Sequence, residues 1–299
     1  MSNSFFLTKN IKNINKYINS LLEKNLNKLK FENLLNIARS NKIIFTFVAV
    51  MFIFLSYLLV PTFFKQQEVS RELERELLNT FKLNINFSED LKYNFFPRPH
   101  FTTKKALLMF NQDEISNIEE IKIYVSLDNL FSLKNMEIND VIINEANFNL
   151  NKKNSNFFLK ILDNNFKNSS LKIHDSNLFF RNEKNEVLFI NKIINMKYYY
   201  DANHLKNIIY LQNEIFNTPY SIEFFKIDDE KKYYSELNIS NLKLKIENIY
   251  NYGNEIKNGS ANILFNKNKS LVNYKLKQNL FEFRIFDKLD DSKFLYNGN

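Results

Sequence analysis

Histidine and cysteine, two residue types that commonly carry catalysis or bind metals, are scarce or absent in this chain. Its 299 residues include three histidines, three glycines and no cysteine. The histidines, His100, His174 and His204, are not paired at the spacing of metal ligands, and no cysteine thiolate can complete a site. Three glycines are too few for the loops that hold nucleotides or for the turn that carries a hydrolase serine. The sequence therefore predicts no metal site and no cofactor.

Adjacent carboxylates are the remaining candidates for acid–base chemistry. Asp228 and Asp229 form one such pair, and Asp290 and Asp291 form another. Both pairs lie in predicted turns that also contain lysine, where solvated surface charge is the ordinary expectation. We therefore expect no catalytic residue, and the chain is predicted not to be an enzyme.

The longest apolar run of the chain is IIFTFVAVMFIFLSYLLV, which covers residues 43–60. Eighteen helical residues would be roughly 27 Å long, close to the thickness of the hydrocarbon core of a bilayer. No charge falls inside the run, and Lys42 and Lys65 flank it. The residues that follow, PTFFKQQEV, contain no small-x-small cleavage site for a signal peptidase. The run therefore predicts a single, retained transmembrane helix.

Positive charge is concentrated before this run. Residues 1–42 contain eight basic and two acidic residues, which gives +6 of the formal net charge of +8. The positive-inside rule then places residues 1–42 in the cytoplasm and the rest of the chain on the other side of the membrane. Nucleic acid is not expected as a partner, because the large domain carries little of the excess charge.

Helical spacing of apolar residues occurs on both sides of the apolar run. In the leader, residues 1–42, it predicts a basic amphipathic helix, which would lie on anionic lipid headgroups or be solvated or bound to a partner. Residues 61–82 are predicted to contain a linker helix, with Val69, Leu73, Leu77 and Phe81 on one stripe. The stripe of the leader consists of Ile11, Ile14, Ile18, Leu21, Leu22, Leu26 and Leu29.

From residue 83 to residue 299 the period of the pattern changes to two, which predicts an antiparallel β domain. The turns between the predicted strands are rich in Asn, Lys and Asp, and Asn tolerates the left-handed backbone that turns require. The apolar side of such a sheet has to be covered. Because no amphipathic helix is predicted after residue 81, we favour a long curled sheet whose groove is lined by apolar side chains. A closed β-sandwich is the alternative.

Three segments resemble the N-terminal part of the AsmA-like proteins, a family anchored in the inner membrane of Gram-negative bacteria. The segment FFPRPHFTTKKALLMF, residues 95–110, has the Pro-x-Pro turn that leads into a strand. The segments at residues 119–152 and 170–183 resemble the alternating strands of the family. Glu145-Ala146 and Asp175-Ser176 stand where the family has a small-Pro step and a turn glycine.

The resemblance implies a single-pass inner-membrane protein whose C-terminal domain is periplasmic and carries phospholipid between the inner and outer membranes. Its partners would be phospholipid acyl chains, the inner membrane, and periplasmic or outer-membrane proteins. The alternative function is a non-enzymatic periplasmic scaffold, or an interaction protein of secretion or assembly, with a closed sandwich core. The predicted lipid-binding groove consists of Ile121, Ile123, Val125, Leu127, Ile138, Ile142, Phe148 and Leu150.

Overall fold

The computed structural model describes residues 42–111, 113–162, 164–227, 230–252, 257–277, 280–287 and 294–298. The amphipathic helix predicted within the leader falls on residues outside this part of the chain. Contacts divide the chain into two units, Met1–Leu59 and Val60–Asn299. Each unit is described by itself.

Helix α1, Lys42–Leu58, is the described part of the first unit and coincides with the predicted apolar run. It has 17 residues, and apolar side chains are exposed at successive positions, so they point in all directions around the helix. Phe52, for example, is 71% exposed. Within the described residues, no helix combines the length and the apolar character needed to cross a membrane. The transmembrane assignment of residues 43–60 is therefore not confirmed.

The second unit begins with a 3₁₀ turn, Val60–Phe63, and helix α2, Gln66–Phe81. The stripe predicted from the sequence is buried: Val69, Leu73, Leu77 and Phe81 follow one another at intervals of four residues. Lys82 ends the helix in a left-handed conformation with φ 58°, and its backbone N–H donates a hydrogen bond to the carbonyl of Leu77. The helix thus presents one apolar side to the rest of the unit.

The described strands form one sheet of fifteen. Along the sheet, neighbouring strands follow chain order from β1 and β3 to β15, and β2 pairs with β3 outside this path. The structure confirms a mainly β fold, and its sheet is open, with β1 and β15 at opposite ends. The strands are β1 Asn84–Phe87, β2 Lys92–Asn94, β3 His100–Phe110, β4 Asp113–Val125, β5 Ile138–Leu150, β6 Ser170–Arg181, β7 Val187–Asp201, β8 Lys206–Ile215, β9 Thr218–Ile227, β10 Lys232–Ile239, β11 Leu244–Asn251, β12 Lys257–Phe265, β13 Asn268–Lys277, β14 Leu280–Asp287 and β15 Phe294–Gly298.

The pairing of the strands is antiparallel, as predicted, except that β5 and β6 are parallel. The connection between them contains helix α3, Ser155–Leu162, although no amphipathic helix was predicted after residue 81. A parallel pair needs a crossover of a dozen or more residues, and residues 151–169 provide it. In a chain so rich in Phe and Ile, the eight residues of α3 do not stand out as a helical pattern.

The core of the second unit lies between one face of the sheet and a layer formed by α2, α3 and residues 164–169. The ring of Phe81 packs on Phe166 with centroids 5.2 Å apart, and Phe166 packs on Tyr198 of β7 at 4.7 Å. The Tyr198 hydroxyl donates a hydrogen bond to the backbone carbonyl of Asn164, and the Asn164 amide donates to the carbonyl of Phe81 at 2.8 Å. The first β strands are therefore covered on this face by protein.

Candidate functional site

The structure places the eight predicted groove residues in three different environments. Ile121, Ile123, Val125, Ile138 and Phe148 are buried, with at most 4% of each residue exposed. The other three are more accessible, since Ile142 and Leu150 are half-buried and Leu127, beyond the end of β4, is 47% exposed. The five buried residues belong to the core beneath the covering layer, so they do not line an open groove. Contact of the eight residues with lipid stays a prediction.

The predicted set also divides between the two faces of the sheet. Ile121 and Ile123 of β4 lie opposite Ile143 and Val141 of β5, whereas Ile142 lies opposite Lys122. Because side chains alternate between faces along a strand, Ile142 points away from the core. The register shifts between Tyr124 and Val125, and such a bulge changes which residues of a strand face inward.

One face of the sheet is apolar along most of its width, and we call it the apolar face. It is the face of Ile121, and a row of directly paired apolar residues runs from there across nine strands, β4 to β12. Each of the nine strands contributes an apolar residue to the row. The next residue in register, Ser270 of β13, is polar and ends the row. The row consists of Ile121, Ile143, Ile173, Met196, Leu211, Ile222, Leu237, Ile246 and Ile263.

Burial along this row falls from one end to the other. Ile121, Ile143 and Ile173 are buried, whereas the residues from Met196 to Ile263 are half-buried. In the described part of the chain, no residue after Asn213 is buried. The covering layer therefore protects the first strands only. We call the apolar face on strands β9–β14 its open part.

The chemistry of the two faces differs sharply on these strands. By register, the charged residues of the open part with described side chains are Lys226 and Lys257, which lie at the ends of β9 and β12. The opposite, polar face carries charge in the middle of its strands, and Glu223, Glu236 and Glu247 form one cross-strand row there. A sheet exposed to water on both sides would carry polar residues on both faces. The open part instead has the composition of a surface that is covered by apolar groups.

Hydrogen bonds and ion pairs stabilise the polar face. The Lys245 ammonium lies 2.8 Å from a Glu247 carboxylate oxygen and 3.2 Å from one of Glu236, and these hydrogen bonds raise the pKa of Lys245. The Tyr234 hydroxyl donates to Glu236 at 2.9 Å. Burial of that hydroxyl and its bond to Glu236 raise the pKa of Tyr234 to about 12. Lys245 therefore stays protonated and the Tyr234 hydroxyl stays neutral through the neutral pH range.

Aromatic rings contact one another and the backbone on the open part. Tyr233 stacks between Phe224 and Tyr250, with ring centroids 5.4 and 6.4 Å away. Tyr274 lies directly over Gly259, where a Cβ would come within 2.3 Å of its hydroxyl oxygen. The absence of a side chain at Gly259 lets the Tyr274 hydroxyl donate a hydrogen bond to Asn248, at 2.8 Å. This hydrogen bond links β13 to β11 across Gly259 of β12.

Two of the three histidines contact neighbouring residues. His100 is buried, its ring stacks on Tyr124 at 4.9 Å, and its Nδ1 lies 2.8 Å from the Arg98 carbonyl. His204 contacts Asp201 at 2.6 Å, and this hydrogen bond is the main reason why the pKa of Asp201 lies below its ordinary value. The described residues contain no group of three or more His, Asp or Glu residues arranged to hold a metal ion.

Comparison with known proteins adds no assignment. No protein-family model matches this chain, and no curated protein matches it. The resemblance to the AsmA-like family therefore stays a prediction.

Proposed function

We propose that the protein carries phospholipid, with acyl chains on the open part of the apolar face and without catalysis. The observation that carries this proposal is the row of apolar residues that crosses nine strands and loses its protein cover part of the way along. Leaving such a surface in water costs about 25 cal/mol per Å². Acyl chains would remove it from water, while the charged polar face stays solvated.

The dimensions of the open part fit an acyl chain. Each leaflet contributes about half of a hydrocarbon core that is about 30 Å thick, so an acyl chain in it reaches about 15 Å. Neighbouring strands lie about 4.8 Å apart, so that length crosses about four strands. The open part provides six, β9 to β14. A chain laid across the strands could therefore move from one set of apolar residues to the next without leaving the face.

We also propose that α1 attaches this unit to the bacterial inner membrane, with residues 1–42 in the cytoplasm and the sheet in the periplasm. Support comes from its exposed apolar side chains, such as those of Ile43 and Phe47, and from the positive charge of the leader. In this arrangement the protein would take phospholipid toward the outer membrane and contribute to its maintenance. The periplasmic scaffold remains the alternative outcome of the experiment that follows.

Photo-crosslinking from the two faces tests the lipid proposal. A benzoylphenylalanine at position 246 probes the apolar face, and one at position 249 probes the polar face of the same strand, β11. Both positions hold isoleucine, and Ile249 is the more exposed of the two. After irradiation of intact bacteria, we expect mass spectrometry of the full-length chain to find phospholipid adducts at position 246 and none at position 249. Protein adducts alone at position 246 would support the scaffold, and equal lipid yields from both faces would overturn the groove.

A further inference from the structure

Three hairpin turns lie side by side at one end of strands β8–β13. They connect β8 to β9, β10 to β11 and β12 to β13, at residues 216–217, 240–243 and 266–267. Because hairpins alternate between the two ends of an antiparallel sheet, successive turns are two strands apart, roughly 10 Å. The Asn266 backbone N–H donates a hydrogen bond to the Lys243 carbonyl at 3.1 Å, which joins two of them. We call these turns, together with Phe265 at the end of β12, the turn edge.

Large apolar side chains are exposed along the turn edge. Phe216 is 81% exposed, Leu242 is 52% exposed and Phe265 is 53% exposed. Phe265 also belongs to the apolar face, because it lies two residues beyond Ile263 of the apolar row on the same strand. The open part of the apolar face therefore continues to the turn edge without an intervening polar residue on β12.

The position of the Phe216 ring comes with a backbone cost. Phe216 has φ 49° and Asn217 has φ 59°, so both central residues of this two-residue turn are left-handed. Turns of this kind favour Asn-Gly, and a bulky residue with positive φ is an outlier. Such strain is commonly found where a residue has a functional contact. Because the exposed ring packs little against its own chain, the turn points to a contact outside it.

The charge of the turn edge is positive. Lys243 and Lys267 are exposed within the turns, and the three turns contain no acidic residue. The carboxylate closest to them along the chain, Glu214, lies opposite Lys192 by register. At the other end of the same strands, the connection between β9 and β10 contains the exposed Glu230. Only the turn edge thus combines exposed apolar residues with lysine alone among these described turns.

This combination matches the surface of a bilayer that contains anionic phospholipid, where apolar side chains enter between headgroups and lysines are attracted to phosphates. We propose that the turn edge docks on such a bilayer through Phe216, Leu242 and Phe265, with Lys243 and Lys267 at the headgroups. A bilayer is favoured over an acidic protein because phospholipid could pass from it to the adjoining open part without crossing water. The inference rests on the proposed lipid-carrying function and assigns the place where phospholipid enters or leaves the apolar face.

The absence of tryptophan from the chain makes a single tryptophan a specific probe. Full-length Phe216→Trp is reconstituted into vesicles of phosphatidylcholine and phosphatidylglycerol whose acyl chains carry bromine, a quencher of tryptophan fluorescence. Leu205→Trp is the matched control, because Leu205 is 76% exposed, has φ 52° and lies at the opposite edge, in the turn between β7 and β8. Ile246→Trp reports on lipid in the middle of the open part.

We expect bromine to quench Phe216→Trp and Ile246→Trp and to leave Leu205→Trp unquenched. Vesicles of brominated phosphatidylcholine alone should quench Phe216→Trp less than vesicles that contain phosphatidylglycerol, because they attract the lysines less. Quenching of Ile246→Trp should be the same in both kinds of vesicle, since the open part binds acyl chains.

Lysine variants in the Phe216→Trp background test the charge of the edge. Lys243→Gln combined with Lys267→Gln should lower the quenching, because each lysine near an anionic surface contributes about fivefold to binding. The matched control combines Lys134→Gln and Lys231→Gln, two exposed lysines at the opposite end of the strands, and it should leave the quenching unchanged. Both variants lose the same net charge.

Each contrary result has a distinct meaning. If only Ile246→Trp is quenched, docking is overturned, the turn edge is left to a protein partner, and the lipid-carrying function stands. If only Phe216→Trp is quenched, the edge docks but the lipid-carrying function fails. Quenching of Leu205→Trp as strong as that of Phe216→Trp would overturn the assignment of the edge. So would quenching of Phe216→Trp that ignores the two lysines, because it would come from lipid on the open part.

Discussion

Lys104 and Lys105 are exposed neighbours on β3 that differ in backbone conformation. Lys105 has φ 54°, in the left-handed region, whereas Lys104 pairs regularly with Glu120. The left-handed conformation costs a residue with a Cβ roughly 1–2 kcal/mol, and glycine avoids that cost but loses about 0.5–1 kcal/mol of chain entropy. Lys105→Gly should therefore raise the free energy of unfolding by about 0.5–1 kcal/mol.

Lys104→Gly is the matched control, because it adds the entropy cost without relieving strain. It should lower the free energy of unfolding by about 0.5–1 kcal/mol. Urea denaturation of the purified full-length variants, followed by far-ultraviolet circular dichroism, measures both changes. The exposed contact of Lys105 with Glu89, at 3.9 Å, is too weak to alter the comparison. Equal destabilisation by the two substitutions would contradict the left-handed conformation of Lys105.

Residues like Lys105 also explain which part of the site the sequence could predict. The inward positions of Ile121 and Ile123 follow from plain alternation, and the structure buries both. The alternation of β5 is interrupted at Glu145, which has φ 54° and no glycine to mark it. The facing residue on β6, Asp175, has φ 47°. Inward and outward positions near these left-handed residues could not be predicted, because no glycine marks them in the sequence.

At the scale of elements, the sequence predicted strands better than it predicted what covers them. The alternation of apolar and polar residues predicts strands β4 and β5. The four-residue spacing of apolar residues predicts the buried stripe of α2. The parallel pairing of β5 and β6 has no counterpart in the pattern, because a half-covered strand alternates in the same way beside a parallel or an antiparallel neighbour. The covering helix α3 was missed for a related reason, since its apolar residues are of the types that dominate the strands.

Helix α3 supplies part of the covering layer through Phe157. This side chain is 3% exposed, and its ring centroid lies 5.5 Å from that of Phe110 on β3. The neighbouring Phe158 is only half-buried. We expect Phe157→Ala to lower the free energy of unfolding by about 3–5 kcal/mol, because it leaves a cavity between helix and sheet, and Phe158→Ala to cost about 1 kcal/mol.

Urea denaturation of the two alanine variants measures these costs, and hydrogen exchange of β3 backbone amides shows where the effect falls. Faster exchange in β3 for Phe157→Ala, with little change for Phe158→Ala, is the expected pattern. If both variants lose the same small amount of stability, α3 does not act as a cover for the first strands.

At the scale of the whole molecule, the composition of the chain and the structure of its sheet both bear on the proposal of lipid binding without catalysis. Histidines are few and cysteine is absent, and among the described side chains of the open part the charged ones lie at strand ends. The sequence favoured an uncovered apolar sheet over a closed sandwich, and the described strands all belong to one open sheet. The sequence did not indicate which strands are covered by protein and which are not. In the structure, α2, α3 and residues 164–169 cover the first strands, and the open part lies on β9–β14.

The absence of cysteine makes membrane orientation directly measurable with single-cysteine variants. Lys152→Cys places a thiol in the second unit, at an exposed position whose only ion pair among the described contacts, with Glu183, is also exposed. Ser20→Cys places a thiol in the leader. If α1 anchors the chain with the leader in the cytoplasm, a maleimide that cannot cross the inner membrane should label Lys152→Cys in cells whose outer membrane alone is permeable. It should label Ser20→Cys only after the inner membrane is opened as well. Labelling of both variants only after that second step would place the sheet in the cytoplasm, where it could not carry phospholipid to the outer membrane.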